Sequence, residues 1–232
     1  MNLINLFPLT ILKDKIDISD DEKSLMINEI RDMKKNSKNI NYQTKTNAWT
    51  GDTQGYEFIH KNVKFQNLFK EITKRIWEYL NCVEIDSKLI DLYIQRSWAT
   101  ISEGNERIKK HRHFQSHISF AFYLKKNKQD SNLVMFDESY KNEIMPGIFR
   151  SDTALQKGIV KKMNPFNVTQ AIVNVEENDI IIFPSKTIHS TQPTESNDER
   201  ISISADIVCI AKDSNLLEMG MPPLNEWTKM QI

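Results

Sequence analysis

The stretch from residue 107 to residue 124 constrains the fold more than any other part of the sequence. In its second half, Ile118, Phe120, Phe122 and Leu124 alternate with smaller or more polar residues. Successive side chains of an extended strand point to opposite faces, so this alternation predicts a β-strand with one apolar face. The chain is therefore expected to be built around β-structure.

Histidines are concentrated in the same stretch, which holds His111, His113 and His117 of the five in the chain. On an extended segment His111 and His113 share a face, about 7 Å apart at Cα. At that spacing two Nε2 atoms can reach one metal ion at ~2.0–2.2 Å each. The pair therefore predicts half of a metal site. His117 has the same parity but lies roughly 13 Å further along a straight strand, so we expect it to line the pocket rather than to bind the ion.

The remaining patterns predict two helices followed by about seven strands. Ser19 and Glu22 form a capping-box motif before a helix to about Lys35, and an apolar stripe predicts a second helix over 64–80. Residues 3–12 predict a short edge strand, and period-two patterns begin near residue 89. We expect one domain over 1–232, with a helical part at 1–88 and a jelly-roll core at 89–212. The fold class is mainly β (α+β), with both helices packed outside the barrel.

Composition narrows the possible partners. Lys and Arg total 31, as do Asp and Glu, so the net charge of zero argues against nucleic acid and anionic membrane as partners. The two cysteines, Cys82 and Cys209, provide neither a disulfide framework nor a four-thiolate zinc site. They fit a reducing compartment, so we expect a cytoplasmic protein with no membrane segment. The sequence does not determine the oligomeric state and is compatible with a homo-oligomer.

A second informative stretch lies late in the chain, where Phe183-Pro184-Ser185 precedes His189 and is followed by Arg200-Ile201-Ser202. His-x-His, a distant His and Arg-x-Ser, in this order, resemble the Fe(II)- and 2-oxoglutarate-dependent oxygenases, and most closely the 2OG-Fe(II) oxygenase family of marine bacteria and their phages. Further matching residues are Leu6-Phe7-Pro8, Trp49, Ser97-Trp98 and Leu133-Val134-x-Phe136-Asp137. The resemblance implies a double-stranded β-helix that uses Fe(II), 2-oxoglutarate and molecular oxygen to hydroxylate an unidentified small-molecule or peptidyl substrate.

The same resemblance implies a role for each site residue. His111 and His189 would supply two imidazoles to the metal. Arg200 would hold the distal carboxylate of 2-oxoglutarate with its planar guanidinium, and Ser202 would donate a hydroxyl to it. Tyr93 or Tyr123 would add a further hydrogen bond, and the sequence leaves this choice open.

The third metal ligand departs from the family pattern. The larger superfamily has His-x-Asp or His-x-Glu at the first pair, whereas this chain has His113. Either His113 completes an all-imidazole triad, or a carboxylate comes from elsewhere, with Asp137 and Glu106 as candidates. We favour His113, because strand parity places it beside His111.

One alternative function belongs to a different class. His-x-His is also a feature of cupins, so a non-oxidative metal-binding protein, an isomerase or a small-ligand sensor, would fit the histidines. The feature that separates the two hypotheses is Arg200-x-Ser202, because a non-oxidative metal site needs no carboxylate clamp. The segment 139–166 is long enough to form a lid over the barrel mouth.

Overall fold

The computed structural model describes residues 1–37, 47–127, 131–193, 196–213, 218 and 220–231. Its helices are α1 (Asp20–Lys35), α2 (Gln66–Cys82) and the short α3 (Asp152–Gln156). The capping box forms at the start of α1: the Glu22 N–H donates to the Ser19 hydroxyl, and the Ser19 N–H donates to the Glu22 carboxylate. These contacts satisfy backbone donors that a helix leaves unpaired at its N-terminus. None of the helices in the described ranges is long and apolar enough to cross a membrane.

Nine strands within the described residues form two antiparallel sheets. They are β1 (Leu12–Lys15), β2 (Trp49–Thr50), β3 (Ile90–Ser102), β4 (Ile118–Lys125), β5 (Leu133–Phe136), β6 (Gln170–Val173), β7 (Asp179–Pro184), β8 (Ile188–Thr191) and β9 (Arg200–Ala211). The major sheet has the order β1-β7-β4-β9-β3-β2, and the minor sheet has the order β6-β5-β8. Neighbours far apart in sequence are thus hydrogen-bonded, as in a jelly roll.

The two faces of the major sheet bury different sets of side chains. One face packs on α1 and α2 and contributes alternate residues of the central strands to a single apolar cluster: Phe120, Phe122, Leu124, Ile180, Ile182, Ile201, Ile203, Ala205 and Ile207. The opposite face turns toward the minor sheet, where Tyr123, Ile181 and Phe183 join Leu133 and Met135 of β5. Because both faces are covered, β7 is almost continuously apolar in sequence.

A β-bulge in β3 changes which face its residues present. Ile94 pairs with Ile207 and Arg96 pairs with Asp206, so Gln95 is one extra residue in β3. Before the bulge, Leu92 and Ile94 pack on the helix-facing cluster. Beyond it, residues of the same parity line the cavity on the other face: Arg96, Trp98 and Thr100. The extra residue thereby directs one half of β3 to the core and the other half to the site.

The predicted fold class is confirmed: antiparallel β-sheets dominate, with few helices. Two local predictions are wrong. Residues 1–10 are exposed and form no strand, and β1 begins only at Leu12, because Pro8 lacks an N–H for the ladder and Phe7 lies at φ 57°. His111 and His113 are not in β4 itself, since the chain bends at Phe114 and Gln115 before that strand begins.

Candidate metal centre

Backbone pairing brings the three candidate ligands together. His111 and His189 form an antiparallel bridge in which each N–H donates to the carbonyl of the other at 2.9 Å. Two residues on, the His113 N–H donates to the Ser185 carbonyl at 3.0 Å. His189 lies in β8 of the minor sheet, so the segment 111–113 extends that sheet toward the loop after β7. The imidazoles meet because β-pairing fixes their backbones.

The three imidazole rings lie side by side. Ring centroids are 5.0 Å apart for His111 and His113, 4.3 Å for His111 and His189, and 5.4 Å for His113 and His189. One potential ligand atom of each ring lies within 4.8 Å of those of the other two. Nitrogen atoms that share one ion at about 2.1 Å are at most about 4.2 Å apart, so the rings are close to coordination distance.

Hydrogen bonds fix the tautomer of each ring. The Nδ1 of His111 lies 2.8 Å from the Lys109 carbonyl, and the Nδ1 of His189 lies 2.8 Å from the Thr187 carbonyl. The Nδ1 of His113 lies 2.8 Å from Oδ1 of Asp206. Carbonyl and carboxylate oxygens can only accept, so every Nδ1 carries a proton, and the neutral form of each ring has its lone pair on Nε2, available for a metal ion. A hydrogen bond from the ring nitrogen that does not bind the metal is typical of metal-binding histidines.

The electrostatics keep two of these imidazoles neutral. Burial, followed by the neighbouring His111, lowers the pKa of His189 to about 3. Burial also lowers the pKa of His111. Neutral imidazole is the form that binds a metal ion. The lowered pKa values of His111 and His189 therefore favour a metal ion over a proton at these two rings.

The carboxylate of Asp206 in β9 accepts a hydrogen bond from the ring of His113. It is fully buried and is contacted by four residues: His113, Arg96, Gln115 and Ser116. Burial alone would raise the pKa of Asp206, but the hydrogen bonds from His113, Arg96 and Gln115 outweigh it and lower that pKa to about 2. The residue is therefore a buried anion at neutral pH.

A cavity of about 310 Å³ joins the imidazoles to a second polar group. Arg200 is 3% exposed, its Nη1 donates to the Ser131 hydroxyl at 2.6 Å, and its guanidinium lies 5.3 Å from the ring centroid of Tyr123. Tyr123 pairs directly with Ser202 across β4 and β9, and both face the cavity. The Tyr123 hydroxyl is buried and has no hydrogen-bond partner among the described residues. An anion that entered the cavity would meet a buried guanidinium and two hydroxyls.

Several predicted site residues lie elsewhere. Tyr93 is 40% exposed and does not line the cavity, because it pairs with Val208 three residues before Arg96, roughly 10 Å further along β3. Of the candidate carboxylates, Asp137 is exposed and accepts from Ser139, while Glu106 accepts from the Glu103 N–H. Neither belongs to the cluster of potential metal ligands in the described chain.

His117 and the segment 139–166 also differ from their predictions. The His117 side chain is exposed, and its Nδ1 accepts from the Cys209 N–H at 3.0 Å. Bends between His113 and β4 break the regular alternation on which the predicted pocket position rested. No residue of 139–166 lines the cavity, and this segment instead borders a separate, smaller one. It is therefore not a lid in this structure.

The sequence prediction missed the group beneath His113, namely Asp206, Arg96 and Gln115. A signal for Asp206 exists in the alternation of β9, where Arg200, Ser202, Ser204 and Asp206 alternate with buried apolar residues. Extending the parity of Arg200 and Ser202 by two further steps reaches it. Arg96 had no such signal, because the bulge in β3 reverses the parity before it.

A jelly roll with a histidine metal site and a buried arginine in one cavity is typical of the non-haem Fe(II) oxygenases that use 2-oxoglutarate, although their third ligand is usually a carboxylate. Residues 96–206 match the model of the family described as "Putative 2OG-Fe(II) oxygenase". This segment runs from β3 to β9 and contains the three histidines, Tyr123, Arg200, Ser202 and Asp206. Residues 96–206, which contain the candidate site, thus match the 2OG-Fe(II) oxygenase family, whose cofactors are Fe(II) and 2-oxoglutarate. No curated protein matches the chain in sequence.

Solved structures share the fold at low sequence identity. The α-ketoglutarate-dependent epimerase SnoN from nogalamycin biosynthesis is 11% identical, with a TM-score of 0.57 over 96% of this chain and 91% of SnoN. HygX from Streptomyces hygroscopicus, solved with nickel, 2-oxoglutarate and hygromycin B bound, is 11% identical, with a TM-score of 0.54 over 92% of each chain. A prolyl-4-hydroxylase from Pseudomonas putida is 12% identical, with a TM-score of 0.53 over 86% of this chain and 92% of the hydroxylase.

Proposed function

We propose that His111, His113 and His189 hold Fe(II), and that Arg200, Ser202 and Tyr123 bind 2-oxoglutarate beside it. The observation that carries this proposal is the set of three imidazoles, each with its Nδ1 proton engaged, in the same cavity as a buried arginine. Imidazole suits Fe(II) as a ligand, and the guanidinium fork suits a carboxylate. The chain acts as one functional unit over 1–232, in which residues 1–88 support the core at 89–212.

Each side chain has a defined task in the reaction. With Fe(II) and 2-oxoglutarate bound, the oxidant would be molecular oxygen: one oxygen atom would enter the substrate C–H bond as a hydroxyl, and the other would enter succinate as the keto acid loses CO2. The imidazoles hold the ion at one fixed place in the cavity wall. Arg200 and Ser202 orient the distal carboxylate, and the Tyr123 hydroxyl donates a hydrogen bond to it. Phe183 and Leu133 line the cavity and exclude water from the reacting groups.

The third ligand in this proposal is His113. Its ring lies 5.0 Å from that of His111 and 5.4 Å from that of His189, whereas Asp137 and Glu106 use their carboxylates in local contacts outside the cavity. Three neutral ligands leave the ion one positive charge higher than two imidazoles and a carboxylate would. Imidazole binding by Fe, Zn, Cu and Ni alike makes such a triad chemically acceptable.

For the substrate, we infer a small molecule or a peptide segment. HygX was solved with hygromycin B bound, so this fold accommodates a polar small molecule, and a prolyl hydroxylase shares it too. The wall beyond the metal site carries polar groups, among them Thr50, Gln115 and Arg112, which favour a polar substrate. The balanced charge disfavours nucleic acid, the free cysteines favour a cytoplasmic location, and a homo-oligomer stays open.

The test is an anaerobic titration of the protein with Fe(II) and 2-oxoglutarate, followed through the visible metal-to-ligand charge-transfer band. We expect a band in the wild type that is lost in His113→Ala and weakened in Arg200→Ala. Arg200→Lys keeps the charge but not the bidentate fork, so we expect it to raise the Kd of 2-oxoglutarate about tenfold. His117→Ala serves as the matched histidine control, because that side chain lies outside the cavity.

Two results would contradict the proposal. A band that survives in His113→Ala would exclude the three-imidazole triad. Tight Zn(II) binding with no response to 2-oxoglutarate would favour the non-oxidative cupin alternative, since Arg200 would then serve no cosubstrate. An Arg112→Ala variant tests whether any effect of Arg200→Ala reflects the loss of one positive charge alone, because Arg112 lines the outer cavity wall.

A further inference from the structure

The three imidazoles do not have equivalent supports. His111 and His189 each donate to the backbone carbonyl two residues earlier, which is neutral. His113 donates instead to the carboxylate of Asp206 at 2.8 Å. A carboxylate acceptor makes an imidazole a stronger donor to a metal than a carbonyl acceptor does. One ligand of the triad is therefore electronically different from the other two.

Asp206 is built to remain an anion at this position. It is fully buried in the centre of the major sheet, between Ser119 of β4 and Arg96 of β3. Its Oδ1 accepts from His113, and its Oδ2 accepts from the Arg96 Nε at 3.0 Å and the Gln115 Nε2 at 2.8 Å. A buried charge without such donors would be strongly unfavourable, so this arrangement specifies a charged carboxylate.

The negative charge of Asp206 lies directly behind a set of candidate ligands that contains no carboxylate. Three imidazoles bring no negative charge to the ion. Asp206 supplies one through the ring of His113, from behind the ligand rather than on the metal. Arg96 draws on the same carboxylate and is also 3.6 Å from Asp52, so part of the charge of Asp206 is shared with the guanidinium. The contacts of Asp206 therefore set how much charge reaches His113.

We propose that Asp206 is the positioning residue of the metal centre, and that its hydrogen bond to His113 replaces, through the imidazole, the charge of the carboxylate absent from the ligand set. This inference rests on the proposed function, because it assumes that His113 binds the ion. Asp206 holds the Nδ1 proton, fixes the Nε2 toward the cavity and strengthens its lone pair. Arg96 limits this effect by competing for the same carboxylate.

The experiment compares Asp206→Asn with Asp52→Asn in the full-length protein. Both variants remove one negative charge near the same cavity, but Asp52 has no contact with a candidate ligand. In Asp206→Asn we expect the Kd of Zn(II), measured by chelator competition, to rise about 10- to 100-fold. The Fe(III)/Fe(II) midpoint potential should rise, and the charge-transfer band with 2-oxoglutarate should move to shorter wavelength. In Asp52→Asn the Zn(II) Kd should change less than about threefold, since Asp52 pairs with Arg96 and not with a candidate ligand.

Arg96→Gln separates an electronic role from a purely structural one. Removing the competing guanidinium leaves more of the Asp206 charge on His113, so the midpoint potential should fall, opposite to Asp206→Asn. If Asp206 only held strands together, both variants would weaken metal binding and move the potential alike, and the inference would be overturned. Circular dichroism checks folding. Should Asp206→Asn fail to fold, a lowered potential in Arg96→Gln supports the inference, and an unchanged or raised one overturns it.

The outcomes also separate this inference from the proposed function. A wild type that binds Fe(II) and 2-oxoglutarate, while Asp206→Asn behaves like Asp52→Asn, overturns the role of Asp206 and leaves the proposed function standing. A wild-type protein that binds neither Fe(II) nor Zn(II) overturns both the role of Asp206 and the proposed function.

Discussion

At the residue scale, the candidate site depends on hydrogen bonds that leave selected atoms available. Each imidazole uses its Nδ1 in a contact within the protein, and the Nε2 atoms are the ones that remain. Tyr123 is the complementary case, because its hydroxyl is buried in the cavity without a partner among the described residues. Burial raises the pKa of this phenol, so the group stays a neutral donor at physiological pH.

Tyr123→Phe should therefore separate stability from cosubstrate binding. A buried hydroxyl without a partner costs free energy, so we expect the free energy of unfolding of the metal-free protein to stay equal or to rise by up to about 1 kcal/mol. The Kd of 2-oxoglutarate should rise about tenfold, because a hydrogen bond to a carboxylate is lost. Denaturant unfolding and the anaerobic titration measure the two effects.

Tyr79→Phe is the matched control for that variant. Tyr79 is also a buried residue, but its hydroxyl donates to the Thr10 carbonyl at 3.1 Å. Its removal should lower the free energy of unfolding by about 1 kcal/mol and leave 2-oxoglutarate binding unchanged. If Tyr123→Phe destabilised the metal-free protein as much as Tyr79→Phe does, the proposed free hydroxyl would be contradicted.

At the scale of elements, the helices and the sheet edge are joined by ion pairs as well as by the apolar cluster. Glu199, directly before β9, accepts from Arg31 of α1 at 2.7 Å and from Lys125 of β4 at 3.3 Å. Burial alone would raise the pKa of Glu199, but Arg31 and Lys125 outweigh it and the pKa is lowered. The contact helps to hold α1 against the start of the strand that carries Arg200.

This pKa shift predicts a pH-dependent contribution to stability. Because the carboxyl of Glu199 binds its proton less readily in the folded protein, the pair stabilises the fold above the ordinary carboxyl pKa, and the contribution is lost as pH falls through the lowered value. We expect Glu199→Gln to lower the free energy of unfolding by about 0.5–1 kcal/mol at pH 7, since Arg31 is half-exposed and screened.

The measurement is the difference in unfolding free energy between wild type and Glu199→Gln across the acidic range. This difference should shrink toward zero as pH falls from the ordinary carboxyl pKa through the lowered pKa of Glu199, where the carboxyl of the wild type is protonated as well. Glu84→Gln, at an exposed position, provides the control for a change of net charge alone. A difference that stays constant with pH would show that the glutamine acts through packing and not through the ion pair.

At the scale of the whole molecule, the candidate metal centre joins parts of the chain that are far apart in sequence. His189 belongs to the minor sheet, His111 is paired with it by a single bridge, and His113 is tied to Asp206 in the major sheet. A metal ion at this place would cross-link the two sheets. Its binding should therefore stabilise the folded protein, because an unfolded chain does not keep the three imidazoles together.

Saturation with Ni(II) and 2-oxoglutarate should raise the free energy of unfolding by about 2.7 kcal/mol for each ligand present at a hundredfold excess over its Kd. Ni(II) is a convenient probe because it binds imidazole and is stable in air. Thermal unfolding with and without the ligands measures the effect. His117→Ala should retain the shift and His189→Ala should lose it, and an equal shift in both would place the bound metal elsewhere.

Local patterns in the sequence predicted much of the fold and several residues of the candidate site. The alternation in 118–124 predicted a β-strand with one apolar face, the capping box predicted the start of α1, and the fold class was confirmed. His-x-His, His189 and Arg200-x-Ser202 nominated residues whose side chains share one cavity. Such patterns are readable because the face on which a residue lies depends only on its parity within a regular strand.

Only the tertiary structure decided the rest. The bulge in β3 and the bends before β4 reverse the parity, so Arg96 faces the cavity while His117 does not, and Tyr93 lies beyond it. Asp206 is 93 residues from His113, and no local pattern in the sequence predicts the contact between them. The sequence by itself determined the strands and the types of ligand. Which carboxylate stands behind which imidazole was decided by the register of β9 against β3 and β4, because hydrogen-bond pairing between strands depends on the whole fold.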